Sequence, residues 1–356
     1  MTVGDWQWPP GNRPSAPISP TMLETARDCA LQACFRASGY PVPPTIYLEV
    51  GKIVHHVLEE LRNEIAGLPK DTEPAAVRRR AVELFDADLV SAKSAIKGYP
   101  RPRPIRWDER RVHDARLGVI EAADAMFHAF RVRDPTIPGG IGVAEQTIVS
   151  ADGSMAGTPD LVTGEDHGVT IIDFKTGQIP DDQADDRYAR QIHFYAFLWH
   201  DKTGEWPLRG MLRNPVTGES REIEISAIAA ESLAQEAGSL LERYRYTGDV
   251  GDLADVGDYC CRCPYLIWCD PYWAQDETDC GHAAGGEVLE AEVSPVGEHQ
   301  VRGWIRLSQV ARPIGIYGAT TTVAALHVGK SIRVAGMFVA EDGQATITAH
   351  TDILPS

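Results

Sequence analysis

Two aspartates and a lysine near the middle of the chain have the types and spacing that phosphodiester hydrolysis needs. Asp160 ends the segment Gly157–Asp160, and Asp173 and Lys175 lie two residues apart after an apolar run. Residues two apart in a strand face the same side, so Asp173 and Lys175 point together. Two carboxylates can hold a hard divalent ion, and a nearby lysine can assist the water or the phosphate. An isolated Asp-x-Lys would more often be a surface ion pair, but the apolar strand and the second aspartate favour a metal-dependent site.

The hydrophobic patterns predict the elements that position this site. A helix is expected to begin with Ser19 as N-cap and Pro20 as its first residue, and to run through Cys29 and Cys34. A second helix begins near Pro44. The remaining predictions are a mostly helical region over 71–132 with a Pro-rich interruption at 99–104, strands over 142–149, 155–162, 169–174 and 208–213, and helices over 184–199 and 227–246. The fold class is therefore α/β, with a mixed central sheet, flanking helices and a helical insertion.

The length of 356 residues favours two domains, and the segment boundaries follow from changes in pattern. We expect a flexible N-terminus over 1–18, a catalytic domain over 19–275, a polar linker over 276–286 and an all-β domain over 287–356. About five short strands with Gly turns in the last segment indicate a small barrel of OB type. No run of about 18 apolar residues is present, so we expect no membrane span and a cytoplasmic location.

The net charge of −17 argues against a protein that coats nucleic acid, but one segment is locally basic. Residues 97–111 contain six basic residues against two acidic ones. Two readings of this segment are equally favoured: a solvated charged loop, or a set of phosphate contacts. The candidate DNA-contacting residues are Arg101, Arg103, Arg106 and Arg110.

Further motifs lie on both sides of the central aspartates. The segment Gly51–Glu59 reads G-x-x-x-H-x-x-x-E with His55 at its centre, and Gln191 and Tyr195 form Q-x-x-x-Y. In this order, the motifs resemble those of the RecB-like branch of the PD-(D/E)xK nucleases. The resemblance covers residues 19–275 and implies a restriction-endonuclease-like core.

The resemblance also implies roles for individual residues. A magnesium or manganese ion would be held by His55, Asp160, Asp173 and the backbone carbonyl of Phe174. Lys175, Gln191 and Tyr195 would complete the catalytic set together with the two aspartates, and Glu59 and Glu145 are weaker acidic candidates. The implied activity is hydrolysis of DNA at ends or in single strands, in repair, recombination or defence against phage.

Seven cysteines give a second line of inference, because clustered cysteines in a cytoplasmic protein usually bind metal. Cys29 near the N-terminus and the set Cys260, Cys263 and Cys269 resemble the iron–sulfur ligands of AddB-type subunits and CRISPR adaptation nucleases. This resemblance implies a [4Fe-4S] cluster, and zinc is the alternative. Cys34 and Cys261 are extra thiols that could replace an assigned ligand, whereas Cys280 in the linker is expected to be free.

A second class of function remains open, in which the same fold is a catalytically silent DNA-binding or assembly subunit. The sequence contains no G-x-x-x-x-G-K-[ST] loop, so a helicase motor would have to be a partner protein. In the C-terminal domain, Trp304, Tyr317 and Phe338 are either core residues, a docking surface for a partner, or a surface for single-stranded DNA.

Overall fold

The computed structural model describes most of the chain as helices packed on three sheets. The described residues are 6–69, 71–99, 101, 105–131, 147–165, 168–175, 179, 187–214, 217–275, 280–296, 301–319 and 326–355. No helix within these ranges is both long enough and apolar enough to cross a membrane.

The first helical region is interrupted where a single helix was predicted. Helix α1 (Pro20–Asp28) begins as expected, with the Ser19 hydroxyl accepting a hydrogen bond from Met22 N and Pro20 in the first position. Cys29 then leaves the helical conformation at φ −167° and ψ 117°, and α2 (Ala30–Ala37) starts directly after it. The prediction of one continuous helix through Cys34 is therefore wrong, because Cys29 is extended.

Three long helices pack together, of which the first corresponds to the helix predicted near Pro44 and the other two to the helical region predicted over 71–132. They are α3 (Ile46–Ala66), α4 (Pro74–Ala95), followed by a 3-10 turn at Ile96–Gly98, and α5 (Glu109–Arg131). Their facing sides form a separate apolar cluster around Val54, Phe85 and Val119, and the side chain of Phe174 packs against it. Phe174 ends the central strand, so this contact sets these helices against the sheet.

The central sheet is mixed and has the order β3-β4-β5-β6. Its strands are β3 (Leu161–Glu165), β4 (Gly168–Phe174), β5 (Arg209–Arg213) and β6 (Ser220–Ile223). Strand β4 runs parallel to β5 and antiparallel to β3. The short, partly exposed β6 was not predicted. Helix α6 (Arg187–Thr203) connects β4 to β5, as a parallel pair requires, and α7 (Ala227–Tyr246) packs beside it.

The strand predicted over 155–162 is divided in two. Its first part is β2 (Ala156–Gly157), which pairs with β1 (Ile148–Val149), whereas the sequence from Leu161 pairs with β4. Asp160 lies immediately before the second part. The strand predicted over 142–149 falls partly outside the described residues.

Two glycines let helix α6 lie unusually close to the strands. A Cβ atom on Gly157 would lie 2.7 Å from Cε1 of Tyr195, and one on Gly210 would lie 2.2 Å from Cγ2 of Ile192. Neither distance is possible for a real side chain, so only glycine permits this approach. The position of Tyr195 beside the sheet therefore depends on Gly157.

Residues before α1 are held in place, although they were expected to be flexible. Ile18 is fully buried and pairs with Met155 beside β2. The Arg13 guanidinium donates to the carbonyl oxygens of Tyr244 at 3.0 Å and Gly248 at 2.7 Å, at the end of α7. The segment from Trp6 onward thus packs on the apolar core that includes residues of α6 and α7.

The C-terminal residues form one seven-stranded sheet with the order β11-β12-β9-β8-β7-β10-β13. The strands are β7 (Ala283–Pro295), β8 (Val301–Leu307), β9 (Ile314–Ala319), β10 (Ser331–Ala335), β11 (Phe338–Val339), β12 (Ala345–Ile347) and β13 (Asp352–Pro355). The all-β prediction agrees with this sheet, and the additional strands are very short. Strand β7 begins inside the segment predicted as a linker. An OB-type barrel stays a prediction.

A buried ion pair joins this sheet to the rest of the chain and corrects one sequence prediction. Arg101 is 3% exposed, pairs through its guanidinium with Asp352 of β13, and donates to the carbonyl oxygens of Pro41 at 2.9 Å and Pro264 at 2.5 Å. It cannot face a phosphate from this position, so its prediction as a DNA contact is wrong. A second pair, between Arg333 and Asp270 at 2.7 Å, lies on the same side of the sheet.

Replacing Arg101 tests whether the buried pair attaches the C-terminal sheet. We expect Arg101→Met to lower the free energy of unfolding by about 3–5 kcal/mol, because it leaves the buried Asp352 carboxylate without its partner. The measurement is urea unfolding followed by tryptophan fluorescence. Arg110→Met is the matched control, since the Arg110 side chain is 91% exposed. Equal stability of Arg101→Met and the wild type would contradict the assignment.

Candidate active site

Asp160 and Asp173 are neighbours because β3 and β4 are antiparallel. The register places Leu161 opposite Ile172, so the residue before β3 lies beside the penultimate residue of β4. The backbone N–H of Phe174 donates to Asp160 Oδ2 at 2.5 Å, which fixes one carboxylate relative to the other. Asp173 is only 2% exposed. The strand pairing thus brings two carboxylates together at one end of the sheet.

Lys175 is held between Asp173 and helix α6. Its backbone N–H donates to the Arg213 carbonyl at 2.9 Å, and its Nζ lies 2.6 Å from Asp173 Oδ2. The same Nζ donates to Gln191 Oε1 at 2.9 Å, and Gln191 Nε2 donates to Tyr195 Oη at 2.9 Å. Gln191 and Tyr195 are four residues apart and face the same side of α6. A continuous polar chain therefore runs from Asp173 to Tyr195.

Helix α3 brings His55 to the same place. Its Nδ1 lies 3.4 Å from Asp160 Oδ1. Burial opposes protonation of this imidazole, but the hydrogen bond to Asp160 and the charges of Asp160 and Asp173 outweigh it and raise the pKa of His55. In the absence of a metal, the imidazole therefore holds a proton more tightly than a free histidine does. A metal would have to displace that proton in order to bind the ring.

The neighbouring carboxylates of Asp160 and Asp173 repel each other when both are ionised, and a nearby cation relieves this repulsion. Burial, with the nearby charge of Asp160, raises the pKa of Asp173 from 3.8 to about 6, although Lys175 and His55 act in the opposite direction. Carboxylate oxygens, an imidazole and a backbone carbonyl form a donor set suited to a hard divalent ion. In the described part of the chain, no three or more His, Cys, Asp or Glu side chains are already arranged to hold a metal ion.

A second group of residues lines a cavity between α2 and the segment after α7. The four cysteines Cys29, Cys260, Cys263 and Cys269 all line it, together with apolar side chains. Backbone N–H groups of Asp255 and Gly257 donate to the sulfurs of Cys29 and Cys260, each at 3.4 Å. Burial raises the pKa of Cys269 to about 12 and also raises that of Cys263, so these thiols are neutral here.

The extra cysteines are placed differently. Cys261 and Cys280 form a disulfide, so the expectation that Cys280 is free is wrong. The bond spans 19 residues and joins the cysteine segment to the residues just before β7. Cys34 is fully buried but does not line the cavity.

Comparison with known families agrees with this geometry. A model of the PD-(D/E)XK nuclease superfamily matches residues 17–270. The chain belongs to the PD-(D/E)XK nuclease superfamily. Membership implies a metal-dependent nuclease that binds DNA.

Other comparisons add little to the superfamily assignment. No curated protein matches the chain. A solved structure titled "Crystal structure of SSO0001" is 12% identical, with 61% of this chain and 96% of that one covered and a TM-score of 0.29. A TM-score this low leaves the assignment resting on the family model.

The other residues predicted from the sequence as acidic candidates or DNA contacts are placed as follows. Glu59 is partly buried one turn beyond His55 on α3. Arg106 and Arg110 are exposed at the start of α5. Glu145 and Arg103 lie outside the described residues.

Sequence reasoning missed Tyr188, in the first turn of α6. Its ring centroid lies 4.9 Å from Lys175 Nζ, and the Arg187 guanidinium lies 5.6 Å from the same ring. Tyr188 precedes Gln191 by three residues, which puts both on one side of the helix. The three-residue interval between Tyr188 and Gln191 was the signal in the sequence. It points to the site only when Lys175 is known to face α6.

The raised pKa of Asp173 predicts how stability depends on pH in the metal-free protein. A pKa raised from 3.8 to about 6 means that the folded state binds the proton more tightly than the unfolded state. The resulting stability is present below about pH 4 and is lost as the pH rises through 6, by up to roughly 3 kcal/mol. We expect Asp173→Asn to match the wild type near pH 4 and to be more stable at pH 7.5.

Urea unfolding in EDTA at a series of pH values measures this difference. Added magnesium should narrow the gap at pH 7.5, since a bound cation stabilises the ionised carboxylate of the wild type. If Asp173→Asn were no more stable than the wild type at pH 7.5 in EDTA, the raised pKa would be wrong.

Proposed function

We propose that the protein is a magnesium- or manganese-dependent deoxyribonuclease of the RecB-like type that cuts DNA at ends or in single strands. The observation that carries the proposal is the convergence of Asp160, Asp173 and Lys175 from the sheet with His55 from α3. The RecB-like assignment is supported by His55 reaching the carboxylates, and by Gln191 and Tyr195 extending the polar chain from Lys175.

Each residue has a role that follows from its position. His55, Asp160, Asp173 and the Phe174 carbonyl would hold the ion, which when bound supplies Lewis acidity and lowers the pKa of a water. Lys175, anchored by Asp173 and Gln191, presents its ammonium where it can orient the attacking water or stabilise charge on the phosphate. Gln191 limits the positions that Nζ can take, and Tyr195 fixes the amide of Gln191.

Two exposed arginines bear on how an acidic protein would bind DNA. The net charge is −17, so attraction to phosphates must be local. Arg106 and Arg110 are exposed, and we propose that they contact the DNA backbone. Contacts of this kind lose strength as salt increases.

Substitution of Lys175 tests the catalytic assignment. We expect Lys175→Ala to reduce cleavage of labelled single- and double-stranded DNA by about 10²–10⁴-fold in magnesium or manganese, because the group that assists the water or phosphate is lost. DNA binding in EDTA should persist. Lys202→Ala is the matched control, since Lys202 is exposed near the far end of the same helix.

Two outcomes would speak against this assignment. Undiminished cleavage by purified Lys175→Ala would exclude the lysine from the chemistry. A wild type that binds DNA but yields no product with either metal would favour the catalytically silent binding subunit.

We also propose that the four cysteines lining one cavity bind a [4Fe-4S] cluster, with zinc as the alternative. Four thiols suit either metal centre, and backbone N–H groups directed at two of the sulfurs would stabilise thiolates. Cys29 lies near the start of the predicted catalytic domain and the other three lie near its end, so a centre here would close a long loop of chain. Its role would be structural, because it involves none of the residues around Asp173.

Metal analysis of cysteine variants tests the cluster. We expect the purified wild type to contain iron and acid-labile sulfide, and Cys263→Ser to lose both and to unfold more readily. Cys34→Ser should retain both, because Cys34 is fully buried but lies outside the cavity lining. Zinc without sulfide would select the alternative centre, and loss of iron in Cys34→Ser would overturn the ligand assignment.

A further inference from the structure

An exposed tyrosine in the first turn of α3 is paired with an arginine in the first turn of α5, away from the proposed catalytic residues. The Tyr47 side chain is 63% exposed, and the Arg111 guanidinium lies 3.9 Å from its ring centroid. We propose that Tyr47 and Arg111 form a stacking site for an unpaired base of single-stranded DNA whose backbone extends toward the active site. The proposal rests on the proposed nuclease function and names its substrate class.

The position of Tyr47 on α3 connects it to the active site. Tyr47, Gly51 and His55 follow one another at four-residue intervals, which places successive members next to each other along the helix surface. Eight residues of helix correspond to about 12 Å. Gly51 places no side chain of its own between Tyr47 and His55.

Local charge favours a polyanion at this place. Arg106, Arg110 and Arg111 lie at or just before the start of α5, and Arg110 is 91% exposed with its carboxylate contact to Asp114 as long as 3.9 Å. Two of the nearby acidic groups make contacts within the protein. Asp108 accepts a hydrogen bond from Arg110 N at 3.1 Å. On α3, Glu49 pairs with Lys52 at 2.8 Å.

The ring itself selects single strands. Every base has a π-face, so an aromatic side chain can stack on any unpaired base regardless of sequence. Bases within a duplex already stack on each other and do not offer that face. The 63% exposure shows that Arg111 covers only part of the Tyr47 ring, while its charge remains close enough to contact the adjoining phosphate.

Binding of a fluorescein-labelled 20-nucleotide single strand, measured by anisotropy on the full-length protein in EDTA, tests the proposal. We expect Tyr47→Ala to raise the dissociation constant roughly 5- to 150-fold, which corresponds to the loss of one stacked base. Tyr47→Phe should restore most of the affinity because it keeps the π-face. The blunt duplex of the same sequence should be affected less than 2-fold, roughly the limit expected without a stacking contribution.

Two other exposed tyrosines are matched controls. Tyr246 is 74% exposed at the end of α7, and Tyr317 is 66% exposed on the C-terminal sheet with Arg302 at 5.6 Å. Alanine at either position should leave single-strand affinity unchanged. A larger loss at Tyr317 than at Tyr47 would move the stacking site to the C-terminal sheet and overturn the proposal.

The remaining outcomes separate this proposal from the nuclease function. Wild-type affinity in Tyr47→Ala, no rescue by Tyr47→Phe, or no single-strand binding by the wild type would each overturn the stacking site, even if the protein cuts DNA. Binding that depends on Tyr47 in a protein that never cuts would support the stacking site while overturning the nuclease.

Discussion

A buried carboxylate beside a second carboxylate is the constraint on which the rest of the site depends. Asp173 is 2% exposed and lies next to Asp160, and this proximity is unfavourable unless a cation is near. The fold supplies Lys175 two residues along the same strand and His55 from a helix far upstream in sequence. The negative charge of the two carboxylates that favours Lys175 and His55 here also makes this place suitable for a divalent ion. The same interaction therefore governs both the pH dependence of stability and the proposed metal chemistry.

The surrounding helices and strands fix the positions of these four side chains. The pairing of β3 with β4 sets the two carboxylates side by side, and Phe174 packs against the apolar cluster formed by α3, which carries His55, with α4 and α5. Helix α6 lies close to β2 because Gly157 has no side chain. Tyr195 can therefore accept the hydrogen bond from Gln191, the residue that anchors Lys175. Each contact is ordinary by itself, but together they leave few positions for the reacting groups.

Attachment of the chain ends follows a different principle. The N-terminal segment, the cysteine segment and part of the C-terminal sheet contribute to one apolar core, and buried polar contacts add to this attachment. Arg101 links the cysteine segment to the C-terminal sheet through Pro264 and Asp352, and also contacts Pro41 after α2. The Cys261–Cys280 disulfide holds the residues before β7. Such contacts are specific in geometry, which suits regions distant in sequence that must dock in one orientation.

The proximity of Asp160, Asp173 and Lys175, the α/β class, the helical region and the all-β pattern of the C-terminus were predictable from sequence, because residue type and local periodicity indicate them. His55, Gln191 and Tyr195 were expected only from the resemblance to RecB-like nucleases. The break at Cys29, the division of the second strand before Asp160 and the brief strands β6 and β11 were not predictable, since each depends on a partner elsewhere in the chain. Arg101 shows the limit most clearly. Its type and basic neighbours indicated a phosphate contact, yet a carboxylate 251 residues away neutralises it in the interior. Local sequence determined which groups could do chemistry, whereas tertiary packing decided which of them are buried, paired or left facing solvent, because burial and charge pairing are set by neighbours remote in sequence.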